Sequence, residues 1–413
     1  MHILALTFEY PPAQTGGLGV IVKDIYKEIW KNFGNTDEKI YVSLAMPAQG
    51  LQNGYKNISI LKKETEFDVE LGDRKQHIDV RLASDSLNPD IPIHLICGAE
   101  LNDWQCYASL PQKIALFARA IPMFIDHLFW NHHSVDLIHI NDWHCVPAGV
   151  MGKLKYAKQG KKIPVLYTIH RVGEKEAVYD VHFLNWIKFY EYENISKAAY
   201  FSGSGWGKFS IEALGCYYAD KVNTVSKSYM SDVLNLNYLQ SKFPENVKIL
   251  KGWIELENLY KASDIFVNVP DFEPFGLTTL EAMDSGAIVI GTEVGGVRDM
   301  LIDFYWKYDF ADGMKNNNVT GFFVLNDSGA LANKILEVCI LVKSGEILGD
   351  FGAHSEQYKK FIDSIPVEYG KLKEEILKEP FLAGIMMHNS MARAKKFSIE
   401  ETAKNYVEIY KNL

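Results

Sequence analysis

The sequence predicts an α/β protein built on parallel sheets, and three observations carry the prediction. Short apolar runs alternate with amphipathic stretches of helical length. Several of the runs are hydrophobic throughout, as strands covered by helices on both faces must be. Glycine-rich and polar turns stand where the runs end, at the sheet edge where ligands bind in such folds.

Taken in order, strands are expected at His2–Phe8, Ile40–Ala45, Ile91–Ile96, Leu137–Ile140, Pro164–Thr168 and Lys221–Val225. Helical spacing of apolar residues marks Ile21–Phe33, Ile114–Trp130 and Val146–Lys158 between them. Together these make one complete doubly wound domain. The second half is thinner. Strands are expected at Val247–Leu250, Asp264–Val269, Ala287–Thr292 and Gly321–Leu325, with a helix at Thr278–Ser285. Asp303–Asn318 and Glu346–Glu379, rich in charge and aromatics, read as insertions that break the rhythm. Ser398 is placed to cap a final helix, Ser398–Lys411, whose first turn carries Glu400 and Glu401.

The length of 413 residues fits two or three domains, and 47% hydrophobic with 23% charged content is that of a globular protein. Forty-three Lys and Arg against 52 Asp and Glu give a net charge of −9. That balance disfavours a sequence-independent nucleic-acid binder, which needs a basic surface. Five cysteines, odd in number and without a CxxC pair, point to a reducing compartment and hence the cytoplasm. Most are expected to be small buried hydrophobes. The first residues, Met1 to Leu6, read as a strand rather than a leader, and no window is apolar enough for a membrane span.

Five constellations could carry chemistry. Pro11-Pro12-Ala13-Gln14-Thr15-Gly16-Gly17-Leu18-Gly19 joins the first strand to a helix. It is either a tight turn or a place where backbone approaches an anion at a helix start. Its spacing is not that of a dinucleotide fingerprint, so a nicotinamide cofactor is disfavoured. In Asp136-Leu137-Ile138-His139-Ile140-Asn141-Asp142-Trp143-His144, His139 alternates into the strand as a core histidine. Asn141, Asp142 and His144 fall at the strand's carboxyl end as ligand-facing candidates. No second histidine or carboxylate stands at metal-ligand spacing, so no metal is expected. Thr168-Ile169-His170-Arg171 ends another strand, and Arg171 could meet a phosphate or only a surface carboxylate.

The strongest signal is Asp271-Phe272-Glu273-Pro274-Phe275-Gly276-Leu277-Thr278-Thr279-Leu280-Glu281, between a strand and a helix. Gly276 opens the turn, and the amides near Leu277 and Thr278 would face a phosphate at the positive helix end. Glu273 can reach sugar hydroxyls, and Glu281, one helical turn beyond Leu277, can turn back to a ribose; a carboxylate accepts from both hydroxyls of a vicinal diol. Gly295 and Gly296, in Gly291-Thr292-Glu293-Val294-Gly295-Gly296-Val297-Arg298-Asp299, suggest a second backbone approach to the same ligand.

These pieces, in this order, resemble the glycogen and starch synthase-like glycosyltransferases, the retaining GT-B enzymes. Thr15-Gly16-Gly17-Leu18, His139 to His144, Thr168 to Arg171, Ala219-Asp220-Lys221-Val222-Asn223-Thr224-Val225-Ser226, Phe272 to Glu281 and Val294 to Asp299 carry the likeness, nearly end to end. The His170-Arg171 and Ala219 to Val222 stretches look most like the archaeal glycogen synthases. The resemblance implies two facing Rossmann-like domains: residues 1–234 on the acceptor side, 235–396 for the nucleotide sugar, and 397–413 as a helix, with Tyr406 and Tyr410, returning to the first. It implies transfer of glucose from ADP- or UDP-glucose to an α-1,4-glucan with retention, without metal or other cofactor. His144 and Glu273 would be catalytic. Gly16, Gly17, Asp142, Arg171, Gly276, Leu277, Thr278, Glu281, Gly295 and Gly296 would bind substrate. Partners would be the nucleotide sugar and the glucan, with no nucleic acid and no membrane.

The sequence also departs from the family. Gln14 and Val20 stand where members often carry Lys and an acid. After Thr224-Val225-Ser226 the family has an Asn-Gly-Ile-Asp segment, then Gly-Arg and Lys-Gly, whose cations neutralise the leaving diphosphate. Nothing between Ser226 and Val247 matches it; Lys227, Lys242, Lys248 and Lys251 do not fit the motif. The second sheet is therefore expected to lack about two or three βαβ steps, each about 30 residues, with a join near Leu234–Tyr238. A silent nucleotide-sugar or glucan binder is thus an alternative to the enzyme. So is a sibling retaining glycosyltransferase making sucrose, trehalose or a glycoconjugate.

Overall fold

The computed structural model describes residues 1–37, 39–202, 207–226, 229, 248–249, 263–304 and 318–413. The chain divides into two units. One holds Met1–Val225, Met230–Gly252 and Ile399–Leu413; the other holds Ser226–Tyr229 and Trp253–Ser398.

The first unit is a nine-stranded sheet. Its strands are β1 (His2–Leu6), β2 (Tyr41–Pro47), β3 (Ile58–Leu71), β4 (Arg74–Asp85), β5 (Asn88–Cys97), β6 (Leu137–Asn141), β7 (Val165–Ile169), β10 (Lys221–Thr224) and β11 (Lys248–Ile249). A separate small hairpin pairs β8 (Val178–Asp180) with β9 (Lys208–Ser210). The sheet order is β11-β10-β7-β6-β1-β2-β5-β4-β3. Six strands from β11 through β2 run parallel, β5 joins β2 in parallel, and β4 and β3 extend the sheet antiparallel. Every residue of β1, β6 and β7 is buried, as two-sided helical cover requires. That cover comes from α1 (Gly17–Phe33), α2 (Leu110–Trp130), α3 (Val146–Lys158) and α6 (Ile211–Tyr218), while α4 (His182–Trp186) and α5 (Ile195–Ser202) lie between β8 and α6 in the chain.

From β1 the chain moves to β2 on one side, and later to β6 on the other. The crevice outside the carboxyl ends of β1 and β6 is therefore a switch point of the topology. Phe8 and Glu9 follow β1 there, and Asp142 to His144 follow β6.

Three sequence expectations are corrected in this unit. The β3–β4 hairpin was not anticipated, because the Lys62-Lys63-Glu64-Thr65-Glu66 run hides the strand period. The Val247–Leu250 strand was expected in the second domain; its described part, Lys248–Ile249, pairs with Asn223 and Thr224 of the first sheet. The six expected strands are part of a nine-stranded sheet.

In the second unit, β12 (Ile265–Asn268), β13 (Ile288–Gly291) and β14 (Gly321–Phe323) form a parallel sheet of three described strands in that order. Helices α7 (Leu277–Asp284) and α8 (Gly295–Met300) follow the first two strands. Then come α9 (Ser328–Phe351), α10 (Glu356–Ser364), α11 (Gly370–Lys378) and α12 (Leu382–Ala394). The 346–379 stretch, expected to be an insertion, is instead core-building. Tyr358, Ile362, Leu372 and Ile376 pack with Ile288, Phe322, Val338 and Leu341 in one apolar cluster. The expected join at 234–238 lies outside the described residues, as does most of 303–318.

The last helix, α13 (Ile399–Lys411), packs on α1 of the first unit. Among the described residues no helix is long and apolar enough to cross a membrane. Cys97, Cys106, Cys145 and Cys216 are buried free thiols, and Cys339 is an exposed one.

Candidate functional site

In the first unit, candidate residues gather at the switch point. Asp142 ends β6 with φ +69° and ψ 164°, a costly backbone for a residue with a Cβ. That turn sends the chain into the short 3-10 helix Trp143–Cys145. Asp142 Oδ1 accepts the Arg171 amide at 3.3 Å, tying the ends of β6 and β7 together. Burial pushes the Asp142 carboxyl up to about 8; the nearby Glu212 and Glu9 act in the same sense, against the Arg171 and Trp143 amides. That shift favours the neutral acid at pH 7.

His144 is buried, and its ring is stacked among aromatics: Trp143 at 3.8 Å between centroids, Tyr107 at 4.9 Å and Phe8 at 5.4 Å. Burial, assisted by Arg171, holds its imidazole down at about 3, so it is neutral. Its Nδ1 has no hydrogen-bond partner among the described residues, and Asp142 Oδ2 stands 3.9 Å away. The exposed Arg171 supplies positive charge beside this pair.

Behind these residues lies a buried polar layer. His139 is the core histidine its alternation predicted: Nδ1 lies 2.7 Å from the Tyr26 hydroxyl and 2.8 Å from that of Tyr410, and Nε2 lies 2.8 Å from Thr168 Oγ1. Asn141 donates to the Tyr26 hydroxyl at 2.9 Å, and its Oδ1 lies 3.3 Å from His170 Nε2.

The glycine turn before α1 closes on a carboxylate of the chain itself. Gly16 and Gly17 are exposed, and a Cβ at Gly16 would meet nothing within 4 Å, so a ligand has room to approach. The amides of Gly16 and Gly19, however, donate to Glu9 Oε2 at 3.2 and 3.4 Å. Thr15 Oγ1 donates to Glu9 Oε1 at 2.8 Å, and the Tyr107 hydroxyl donates to the same oxygen. Glu9 and Tyr107 were not singled out by sequence. The available signal was an acid at a strand's carboxyl end just ahead of a glycine turn.

In the second unit the constellation follows β12. Gly276, at φ +91°, makes the left-handed turn that starts α7. The first helical bond runs from the Leu280 amide to the Gly276 carbonyl, so the Leu277 and Thr278 amides have no partner within the helix. Burial raises the Glu273 carboxyl above its ordinary range, against the Phe275 and Gly276 amides that bond it; among the described residues no cation acts on it. Glu281 is buried on α7, one turn beyond Leu277. Asn268 at the end of β12 donates to Thr279 Oγ1 at 2.9 Å, fixing the helix to the strand.

Gly295 and Gly296 lie against this loop. A Cβ on Gly295 would stand 1.8 Å from the Glu273 carbonyl oxygen, and one on Gly296 would stand 2.0 Å from that of Phe275. The Gly296 amide donates to the Glu273 carbonyl at 3.0 Å. The protein's own backbone thus fills the space a side chain would need. Ser226 Oγ donates to the Pro274 carbonyl at 2.8 Å, and Tyr229 packs on Phe272 at 5.3 Å, bracing the loop from another side.

An α/β unit with a topological switch point, and a parallel-sheet unit with a Glu-Pro-Phe-Gly turn, fit the GT-B class of glycosyltransferases. The chain belongs to the starch synthase catalytic domain family, which matches residues 2–242. Residues 229–339 match the glycosyl transferases group 1 family. The glycogen synthase of Caldicellulosiruptor saccharolyticus is 28% identical over 296 residues, 65% of this chain and 56% of that protein. That of Clostridioides difficile is 27% identical over 285 residues, 65% of this chain and 56% of its own length. The glycogen synthase of Acholeplasma laidlawii is 35% identical over 144 residues, 30% of this chain and 28% of that protein. The match spans just over half the length of the first two relatives. The fold is similar to the catalytic domain of starch synthase IV from Arabidopsis thaliana, solved bound to ADP and acarbose, with a TM-score of 0.69 at 14% identity over 100% of this chain and 99% of that one.

Proposed function

We propose that this protein transfers glucose from a nucleotide glucose, ADP- or UDP-linked, to the non-reducing end of an α-1,4-glucan with retention of configuration. The observation that carries this reading is the turn ahead of α7. There Gly276 leaves two helix-start amides without intrahelical partners, and Glu273 is held half-buried beside them. In this reading Glu273 binds the hydroxyls of the transferred glucose, the Leu277 and Thr278 amides take the sugar and phosphate, and Glu281 takes the ribose. Gly16 and Gly17 border the diphosphate, with Arg171 as a cation for it. His144, neutral and aromatic-clamped, contacts the glucose as a hydrogen-bonding group rather than as a charge, with the neutral Asp142 beside it. Gly295 and Gly296 serve the site by letting α8 sit against the Glu273 loop. Helix-start amides aimed at the leaving diphosphate stabilise it without reorganisation. The buried free thiols support placing this chemistry in the cytoplasm.

A second reading, binding without turnover, is favoured by one observation: the Gly-Arg…Lys-Gly cations are absent between Ser226 and Val247. One experiment separates the two. The protein is incubated with ADP-glucose or UDP-glucose and glycogen, and both nucleotide release and glucose incorporation are measured. Incorporation that falls about 100-fold or more in Glu273→Gln and His144→Ala supports the transferase. Calorimetric nucleotide-sugar or glycogen binding with no release establishes the binder instead.

A further inference from the structure

Glu9 is 2% exposed, yet four donors converge on its two carboxylate oxygens: Thr15 Oγ1, the Gly16 and Gly19 amides, and the Tyr107 hydroxyl. The two amides require an acceptor at Oε2, and the carboxylate also accepts both hydroxyls at Oε1. Glutamine keeps its oxygen on the two amides only by turning its amino group to the two hydroxyls, which then have to accept where they now donate. Three of these donors, Thr15 Oγ1 and the Gly16 and Gly19 amides, belong to the turn that starts α1, where a carboxylate is favoured by the helix dipole. The fourth has nothing to do with a helix cap. Tyr107 lies outside that turn, and its ring stacks on His144 at 29°. Phe8, next to Glu9 in the chain, stacks on the same imidazole at 24°.

We propose that Glu9 is a positioning residue for the transfer reaction, setting the Gly16–Gly19 turn through its amides and, through the Tyr107 hydroxyl, the ring that holds His144. The inference rests on the reading above, in which Gly16, Gly17 and His144 meet the donor. It adds that the glycine turn and His144 are not independent, because one buried carboxylate fixes both. It also divides labour within the turn. The Gly16 and Gly19 amides are spent on Glu9, so Gly17 and the open face over Gly16 are what remain for a diphosphate.

The test uses the full chain, selectively labelled at glycine and histidine for NMR, with Glu9→Gln and the near-isosteric Tyr107→Phe. In Glu9→Gln, the Gly16 and Gly19 amide signals and the His144 ring signal are expected to move together. In Tyr107→Phe, the His144 signal moves while the Gly16 amide stays within its wild-type linewidth. In transfer assays Tyr107→Phe lowers kcat about tenfold with donor KM within about twofold, whereas Glu9→Gln raises donor KM as well. A bare helix cap would leave His144 untouched in Glu9→Gln, and that result overturns the proposal. Wild-type kcat and KM in both variants overturn it too. If the wild type shows no transfer at all, the proposed function fails, and the NMR arm still decides whether Glu9 links the turn to His144.

Discussion

Side chains in the first unit hold unusual protonation states, and the pattern sets a pH dependence. Burial depresses His2 to about 4, His144 to about 3 and His170 to about 4, and holds His139 well below its ordinary value. Unfolded histidine titrates near 6.5, so each of these groups binds a proton more readily unfolded than folded between about 4 and 6.5. Stability is present above 6.5 and is lost as pH falls through that window. Asp142 has the opposite sign: its folded value of about 8 lies above the ordinary carboxylate range, so the folded state loses stability as pH rises from about 4 to 8. Four histidines outweigh one aspartate on the acid side, and of these five groups only Asp142 acts between 6.5 and 8. Thermal denaturation across pH 4–9 is therefore expected to give a melting temperature highest near pH 6.5–7. Asp142→Asn is expected to flatten the alkaline limb and leave the acid limb; an unchanged alkaline limb would refute the neutral Asp142. At this scale the sequence told much about His139 and little about Glu9. Alternation within a strand is a local signal, whereas Glu9 depends on Tyr107, 98 residues away.

Among the elements, α13 is tied to the first sheet by hydroxyls as well as by its buried apolar face. The Tyr410 hydroxyl reaches His139, and that of Tyr406 lies 3.3 Å from Thr168 Oγ1. Thr168 in turn donates to Asn223 Oδ1 at 2.7 Å, so β6, β7 and β10 are laced under the helix by side chains. Tyr410→Phe is expected to cost about 1 kcal/mol, the net worth of one buried hydrogen bond, since the Tyr26 hydroxyl still meets His139 Nδ1. Tyr406→Phe, at a longer distance, should cost less. Urea unfolding followed by tryptophan fluorescence measures both, and equal, near-zero losses would show the hydroxyls to be idle. Parallel strands were legible in the sequence because two-sided burial makes them apolar throughout. The β3–β4 hairpin was not, because a half-solvated strand rich in Lys and Glu looks like a loop. Nor were α10 and α11, whose few buried positions, such as Tyr358, Ile362, Leu372 and Ile376, sit among many charges.

For the molecule as a whole, length and thiol chemistry give independent checks. The sequence expectation of a short second sheet rested on motifs absent between Ser226 and Val247, and the second unit's described sheet has three strands. Its helices compensate in part, since α9 to α12 build an apolar cluster that the strand count alone would not suggest. Across both units only Cys339 of the five cysteines is exposed, and burial pushes the Cys97 and Cys106 thiols up to about 12 and about 11. A thiol reagent at neutral pH should therefore modify one cysteine per native chain quickly and five once denaturant is added; two or more fast thiols would contradict the burial of Cys97, Cys106, Cys145 and Cys216. The outermost strand of the large sheet has a different consequence. Glu64 of β3 points inward to His94 of β5 at 2.5 Å, while Lys62, Lys63, Glu66, Asp68 and Glu70 crowd the same strand. Another chain could continue the ladder past β3 only by laying its backbone along this row of charges, so the longest of the described strands is a poor seed for fibrils.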